Sequence, residues 1–258
     1  EEVTLSDFDV VFLRYNPNEA EERDKSTNPA IEFGRILKLH GVMVVNDPGG
    51  LSKASSKMYL SSFPEEVRPR TLITRSTHKI KDFARALKKP CIIKPLSGFG
   101  GQDVFFLKNP KEININQIIS SVAKNGYVMV QEYLPAVKNG DKRLLLLNGN
   151  PIFLGNRAAM YRRMAPAGDI RSNIHIGGKR KKVEFTKTEM HIAEVIRPKL
   201  VADGLYFVGA DILGNKLLEV NVFCPGGINN INELYGVNVG SAVIEDLEKR
   251  VRVKKAKA

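Results

Sequence analysis

The chain has 258 residues, 43% apolar and 26% charged, enough to bury cores in one large or two to three small domains. No stretch approaches the roughly 18 uninterrupted apolar residues of a membrane helix, and Cys91 and Cys224 alone cannot build a disulfide framework, so no membrane role and a reducing, cytoplasmic setting are expected. The net charge of +12 invites nucleic acid, but ten of those charges sit in Lys179–Lys182 and in the tail cations Lys249, Arg250, Arg252, Lys254, Lys255 and Lys257, with no interleaved aromatic stacking platforms.

The sequence opens at Glu1 in mid-pattern, without a secretory or transit segment, so part of an N-terminal domain is expected to be missing. Asp9–Leu13 reads as a buried strand with Arg14 at its end. Asn28–His40 reads as a helix with Pro29 in its first turn and Ile31, Ile36, Leu37 and Leu39 spaced for one face, and Val42–Val45 as a second strand. Asn46–Gly50 reads as a break and a domain boundary. Beyond it a short helix over Leu51–Ser62, a strand at Arg70–Thr74, a helix at Thr77–Leu87, strands at Pro90–Lys94 and Asp103–Leu107, a helix at Ile115–Lys124 and a strand at Tyr127–Glu132 make a small α+β unit.

Strands at Lys142–Leu147 and Pro151–Asn156 flank a hairpin signal, Asn148-Gly149-Asn150. Ala158–Lys182 shows neither period and reads as a long functional or disordered loop, whose Gly177–Lys182 end could fold over an anion. A helix over Thr186–Ala202, a hairpin of Tyr206–Leu213 and Lys216–Val222, and a helix from Val239 to about Arg252 complete the chain.

Three groups of residues could carry chemistry. Lys94 ends a strand before Ser97, Gly98, Gly100 and Gly101, whose amides can turn toward a phosphate, although an ordinary hairpin turn reads equally well. Lys57 could add a second cation, but by itself it is a solvated helix lysine. Asp211, Glu219 and Asn221 offer hard oxygen ligands suited to Mg²⁺. Glu219 and Asn221 share a strand face. Asp211 sits opposite Glu219 if the turn is Gly214-Asn215-Lys216, and opposite Leu218 if it is Gly214-Asn215. Arg143, Arg157, Arg162, Arg163 and Arg171 gather around one hairpin and its continuation, as forks for an anionic substrate. His40, His78, His175 and His191 show no metal-ligand spacing. Cys91 reads as a core residue, Cys224 as structural, and Gly226-Gly227 as a carboxylate site or a plain turn.

The order of these features resembles the ATP-grasp ligases, and within them the bacterial glutathione synthetases. The likeness rests on Ile93–Gly101 (IKPLSGFGG), Tyr133–Arg143 (YLPAVKNGDKR), Phe207–Ile212 (FVGADI) and Glu219–Val222 (EVNV), and runs from about Phe8 to Arg252. It implies an α/β and α+β ATP-grasp fold. Residues 1–49 would be the remainder of an N-terminal α/β (pre-ATP-grasp) domain, 50–132 a lid, and 133–258 a catalytic domain with a flexible loop at 158–182. It implies that Lys57, Lys94 and the Gly98–Gly101 loop hold ATP phosphates, that Glu132 and Leu134 hold adenine through their backbones, and that Asp141 holds the ribose. Asp211, Glu219 and Asn221 would ligate Mg²⁺, with Mn²⁺ as a substitute. Arg14, Arg143, Arg163, Arg171 and Asn173 would face γ-glutamylcysteine and its acyl phosphate, and Arg163 or Gly226-Gly227 the carboxylate of glycine. The resemblance further implies a homo-oligomer, a tetramer. Ala158–Arg162 looks inserted, which leaves Arg157 and Arg163 as competing choices. A related ligase with other substrates, a nucleotide-binding dead homologue and a basic nucleic-acid module are the competing readings.

Overall fold

Strands β1 (Val10–Phe12) and β2 (Met43–Val45) pair in parallel through helix α1 (Pro29–Leu39) in the computed structural model, which describes residues 3–14, 29–96, 103–109, 114–124, 126–166 and 178–256. The buried face of α1 is Ile31, Gly34 and Leu37, whereas Ile36 and Leu39, expected on it, are exposed. Gly34 sets this rotation. A Cβ there would lie 2.7 Å from Leu13 Cδ1 and 2.9 Å from Pro48 Cγ, so the helix seats with its backbone against β1 and the next turn.

The expected break at Asn46–Gly50 is instead a junction. Asp47 caps helix α2 (Pro48–Lys53) by accepting the Gly49 and Gly50 N–H groups at 2.8 and 3.1 Å, with Pro48 in the first position where a missing N–H costs nothing. Asn46 is fully buried. Its amide donates to Phe207 O at 2.9 Å and Val222 O at 2.6 Å and accepts from Phe207 N at 2.7 Å, which ties the first strand pair to the C-terminal sheet. The expected Leu51–Ser62 helix is α2 followed by a 3₁₀ turn, Lys57–Ser62.

Strands β3 (Thr71–Thr74), β4 (Cys91–Pro95), β5 (Phe105–Leu107) and β6 (Val128–Glu132) form an antiparallel sheet in the order β3-β6-β4-β5. Helices α3 (Thr77–Leu87) and α4 (Ile115–Ala123) cover one face, where Ile80, Ala84, Leu87, Ile119 and Val122 meet Cys91, Ile93, Val128 and Val130. Alternation along the strands leaves Lys94, Met129 and Gln131 on the other face.

The third unit is a sheet of β7 (Asp141–Leu147), β8 (Asn150–Pro151), β11 (Met160–Met164), β12 (Lys179–Lys181), β13 (Phe207–Leu213) and β14 (Lys216–Asn221), in the order β12-β11-β7-β13-β14 with β8 on β7. A two-stranded ribbon of β9 (Phe153–Leu154) and β10 (Arg157–Ala158) precedes β11. The β7–β8 turn is Asn148-Gly149, both at positive φ (48° and 75°), which suits the right-handed twist of a hairpin. Helix α5 (Lys187–Ala202) covers one face with the 3₁₀ turn. Leu144, Leu146, Val208, Ala210 and Ile212 pack there on Ile192, Ile196, Leu200, Tyr59 and Phe63. Helices α6 (Ile228–Tyr235) and α7 (Val239–Lys255) cover the other, where Leu145 and Phe207 meet Ile231, Val239, Val243 and Leu247. Cover on both sides explains why β7 and β13 read as unbroken apolar runs.

The expected loop at Ala158–Lys182 is largely strand at both described ends. Strand β11 pairs with β7 and with β12, whose register sets Arg163 opposite Arg180. Its sequence, Met-Tyr-Arg-Arg-Met, hides the strand because buried Arg163 interrupts the alternation. Lys179–Lys182 is therefore an edge strand and its exit rather than an anion-folding loop. Arg180 is committed to Asn230 Oδ1 at 2.7 Å and to Glu233. Residues 167–177 lie outside the described residues.

Asn46→Ala should cost about 3 kcal/mol, because it strands buried backbone groups of β13 and of Val222 without partners. Urea unfolding at neutral pH measures it, and a loss below about 1 kcal/mol would show that the junction is not stabilising.

Candidate active site

The hairpin β13–β14 settles the two registers open in the sequence by combining them. Its turn is the two-residue Gly214-Asn215, pairing Leu213 with Lys216 and Ile212 with Leu217, and a register shift then sets Asp211 opposite Glu219 and Gly209 opposite Asn221. Leu218 is the extra residue of this β-bulge, a device that re-aims side chains where a sheet meets a site. Asp211, Glu219 and Asn221 thus lie together, and the Asn221 amide donates to Asp211 Oδ2 at 3.2 Å and to Gly209 O at 3.3 Å.

Across the sheet, the register places Arg143 of β7 beside Asp211, and Tyr161 and Arg163 of β11 beside Arg143 and Asp141. All project from one face, at the end of the layer where Leu145 and Phe207 give way to charge. Arg143 grips Asp211 with both edges of its fork, Nε on Oδ1 and Nη2 on Oδ2 at 2.8 Å. Arg163 Nη2 reaches Asp211 Oδ2 at 2.9 Å, and its Nε and Nη2 hold both oxygens of Asp141, the former at 3.1 Å. All four residues are buried. Burial alone would raise the Asp211 pKa, but the Arg143 and Arg163 charges outweigh it and lower it to about 2. Burial likewise opposes the charge on Arg143 and Arg163, and Asp211 more than restores it in both.

The turn Cys224–Gly227 closes over this network. Arg143 Nη1 donates to Gly226 O at 3.1 Å, while Arg14, from the end of β1, donates to Pro225 O at 3.4 Å and Cys224 Sγ at 3.5 Å over the ring of Phe207. Arg14, Arg143, Gly226 and Gly227, spread over the whole sequence, are therefore neighbours. Gly227 sits at φ 114°, and a Cβ there would lie 2.8 Å from the Tyr161 ring. Gly140 is likewise fixed, since a Cβ would lie 2.1 Å from Arg163 O. Tyr161, buried and accepting from Asn230 Nδ2 at 3.1 Å, is a site-lining residue the sequence reading missed; its signal was a bulky residue two before Arg163 on the same strand face. Cys224 is exposed and accepts from Arg14, whereas Cys91 is buried as expected, and neither forms a disulfide.

Facing this layer, Lys94 donates to Gln131 Oε1 at 3.2 Å, and Gln131 donates to Thr71 Oγ1 at 3.1 Å. The Gln131 side chain was not singled out, although a polar residue between Val130 and Glu132 in a buried strand marks it. Lys57, in the 3₁₀ turn, donates its backbone N–H to Leu96 O at 3.3 Å, joining the two lysine-bearing segments. Burial lowers the Lys94 pKa to about 8, with Glu219 opposing and Lys57 adding to the drop. Burial also lowers Lys57, again against Glu219. Glu219 is therefore electrically coupled to both lysines. Two desolvated cations opposite a carboxylate pair and an amide can take an anion of several charges together with a divalent cation. At the end of β6, Glu132 accepts from Arg70 N at 2.9 Å and from Lys89.

Several expected residues stand elsewhere. Arg157 lies over the Tyr235 ring and Arg162 donates to Asn139 O at 2.7 Å, so of these three arginines Arg163 is the one in the Asp211 network. Gly98, Gly100, Gly101, Arg171 and Asn173 lie outside the described residues. Among the described residues no group of three or more His, Cys, Asp or Glu could hold a metal, so a cation here would rest on two carboxylates and the Asn221 amide. No described helix is long and apolar enough to cross a membrane.

Residues 56–236 match the family model for the prokaryotic glutathione synthetase ATP-grasp domain. The glutathione synthetase of Thermosynechococcus vestitus is 40% identical over 247 residues, 93% of this chain and 72% of that protein. Among solved structures, a D-cycloserine synthetase superposes with a TM-score of 0.66 at 16% identity, over 90% of this chain and 80% of that one. An ATP-grasp ligase complexed with a precursor variant, Mg and ADP superposes with a TM-score of 0.62 at 19% identity, over 94% of this chain and 79% of that one.

Asp211→Asn should cost about 3 kcal/mol at neutral pH, since two buried guanidinium groups lose their counter-charge. Because Asp211 titrates at about 2 when folded against an ordinary 3.8, its contribution is full above pH 4 and fades as pH falls toward 2. The gap between wild type and variant should accordingly narrow by about 2 kcal/mol over that interval. Urea unfolding of both proteins between pH 7 and pH 2 checks the sign; a gap that widens on acidification would contradict it.

Proposed function

The chain belongs to the prokaryotic glutathione synthetase family of ATP-grasp ligases, and on that premise we propose that it joins γ-glutamylcysteine to glycine while converting ATP to ADP and phosphate. The observation that carries the residue assignment is the coupling of Glu219 to both Lys57 and Lys94: residues far apart in the sequence act on one space, as a shared triphosphate requires.

In this reading residues 1–49 are the remainder of an N-terminal domain, 50–132 a lid and 133–258 the catalytic domain, although Leu51, Tyr59, Leu60, Phe63 and Val67 pack in the core of the catalytic sheet. Lys57 and Lys94 hold the ATP phosphates, and the Gly98–Gly101 loop covers them. The Glu132 carbonyl and the Leu134 N–H take the adenine edge. Asp141, oriented by Arg163, takes the ribose hydroxyls. Asp211, Glu219 and Asn221 would hold Mg²⁺, or Mn²⁺, which would neutralise phosphate charge and orient the γ-phosphoryl group. The donor set fits, being hard oxygens on one face of a rigid hairpin.

The carboxylate of the γ-glutamylcysteine cysteinyl residue attacks the γ-phosphate, ADP leaves, and the glycine amine then attacks the acyl phosphate and expels phosphate. Such transfer is positioning and charge neutralisation, needing no side-chain nucleophile. Arg143 and Arg163, with Arg171 and Asn173, stabilise the acyl phosphate and its approach. Arg14 faces the peptide, and Gly226-Gly227 amides or Arg163 meet the carboxylate of glycine. A homotetramer in the cytoplasm completes the proposal.

ADP release with γ-glutamylcysteine, glycine and Mg²⁺, against a panel of other amine acceptors, tests the substrates; turnover confined to another acceptor would move the chain to a sister ligase. Lys94→Ala should lower turnover by roughly 10²–10³-fold with an unchanged unfolding midpoint, and wild-type turnover would remove Lys94 from the site. Since Lys94 titrates at about 8 before nucleotide binds, and its charged form is the one that binds phosphate, ATP affinity should fall by up to about tenfold per unit above pH 8. Calorimetry on wild type and Lys94→Arg follows this; the arginine variant should show a flat profile.

A further inference from the structure

Asp203, which ends α5, is buried and accepts from three donors: Tyr59 OH at 2.7 Å, Lys53 Nζ at 2.7 Å and Lys199 Nζ at 2.6 Å. It is part of the layer behind the sheet and touches none of the groups assigned to substrates. Its position is rigid, because a Cβ on Gly50 would lie 2.0 Å from the Asp203 carbonyl, so helix α2 and the end of α5 are in backbone contact. Tyr59 stands two residues after Lys57 in the same 3₁₀ turn. Its ring is buried edge-on to Phe63, with centroids 5.3 Å apart, and beneath Lys199 at 5.5 Å.

Two lysines already neutralise Asp203, so the tyrosine hydroxyl is not needed to satisfy the carboxylate, and a phenylalanine would fill the same apolar space. What the hydroxyl adds is direction. It fixes the rotation of a two-turn 3₁₀ segment whose first residue is Lys57 and whose next, Met58, is exposed. The Lys57 backbone N–H, bonded to Leu96 O, is the other end of that anchorage. We propose that Tyr59, held by Asp203, is a positioning residue that acts through Lys57 on nucleotide binding. The inference rests on the reading of Lys57 as a phosphate ligand.

The test is a double-mutant cycle of wild type, Tyr59→Phe, Lys57→Ala and the double variant, read as the calorimetric Kd for Mg·ATP together with KM for glycine and the unfolding midpoint. Tyr59→Phe should weaken ATP roughly fivefold, a fraction of the full worth of a hydrogen bond to a charged group because the effect reaches ATP only through Lys57, with KM for glycine unchanged. The double variant should bind ATP no more weakly than Lys57→Ala alone. Wild-type affinity in Tyr59→Phe would overturn the inference, as would losses that simply add, because an additive loss means a structural role independent of Lys57. Undiminished ATP affinity in Lys57→Ala would instead overturn the reading of Lys57 itself, and the inference with it. Should Tyr59→Phe fold poorly, Asp203→Asn takes its place in the cycle with the same expected pattern.

Discussion

The Asp211 carboxylate, buried between two guanidinium groups, is the constraint around which the candidate site is arranged. Burying Arg143 and Arg163 in a sheet end otherwise lined by Leu145, Phe207 and Tyr161 would cost several kcal/mol per ion without compensation. Compensation requires an anion within fork distance of both, and β13, which pairs with the strand that carries Arg143, supplies it in Asp211. Asp141 supplies the second carboxylate, so two cations and two anions form one connected network. The backbone follows from this. Gly140 must lack a side chain for β7 to approach β11, and β14 must bulge at Leu218 for Glu219 to stand beside Asp211.

On the opposite wall, electrostatics is arranged in the reverse sense. Lys57 and Lys94 are desolvated, and Glu219 only partly offsets the cost. In the proposed function, a polyphosphate between the walls would meet desolvated cations, where Coulombic attraction is several-fold stronger than at the surface. The buried Asp211 network supplies rigidity, and the two lysines supply attraction.

Between the walls, short connections do the aligning. The Lys57 N–H bond to Leu96 O and the Asn46 bridge to β13 and Val222 are each only one or a few hydrogen bonds, yet they set the register of whole sheets against one another. The Cys224–Gly227 turn does the same for Arg14 and Arg143, drawing residues from opposite ends of the chain to one rim.

Much of this was written locally. Hydrophobic periodicity placed α3 over Thr77–Leu87, and turn chemistry placed the Asn148-Gly149 hairpin. Residue types at short spacing marked Lys94, Asp211, Glu219 and Asn221, since strand alternation and oxygen ligands are properties of neighbours in sequence. What the sequence could not decide were choices made by distant partners. The bulge at Leu218 answers to Arg143 across the sheet, and β11 is a strand because β7 and β12 flank it, not because Met-Tyr-Arg-Arg-Met alternates. The placing of Arg163 rather than Arg157 in the Asp211 network, and the contacts of Asn46 with Phe207 and Val222, likewise belong to the tertiary structure. A buried charge or amide is affordable only where a partner waits, and that partner can be a hundred residues away.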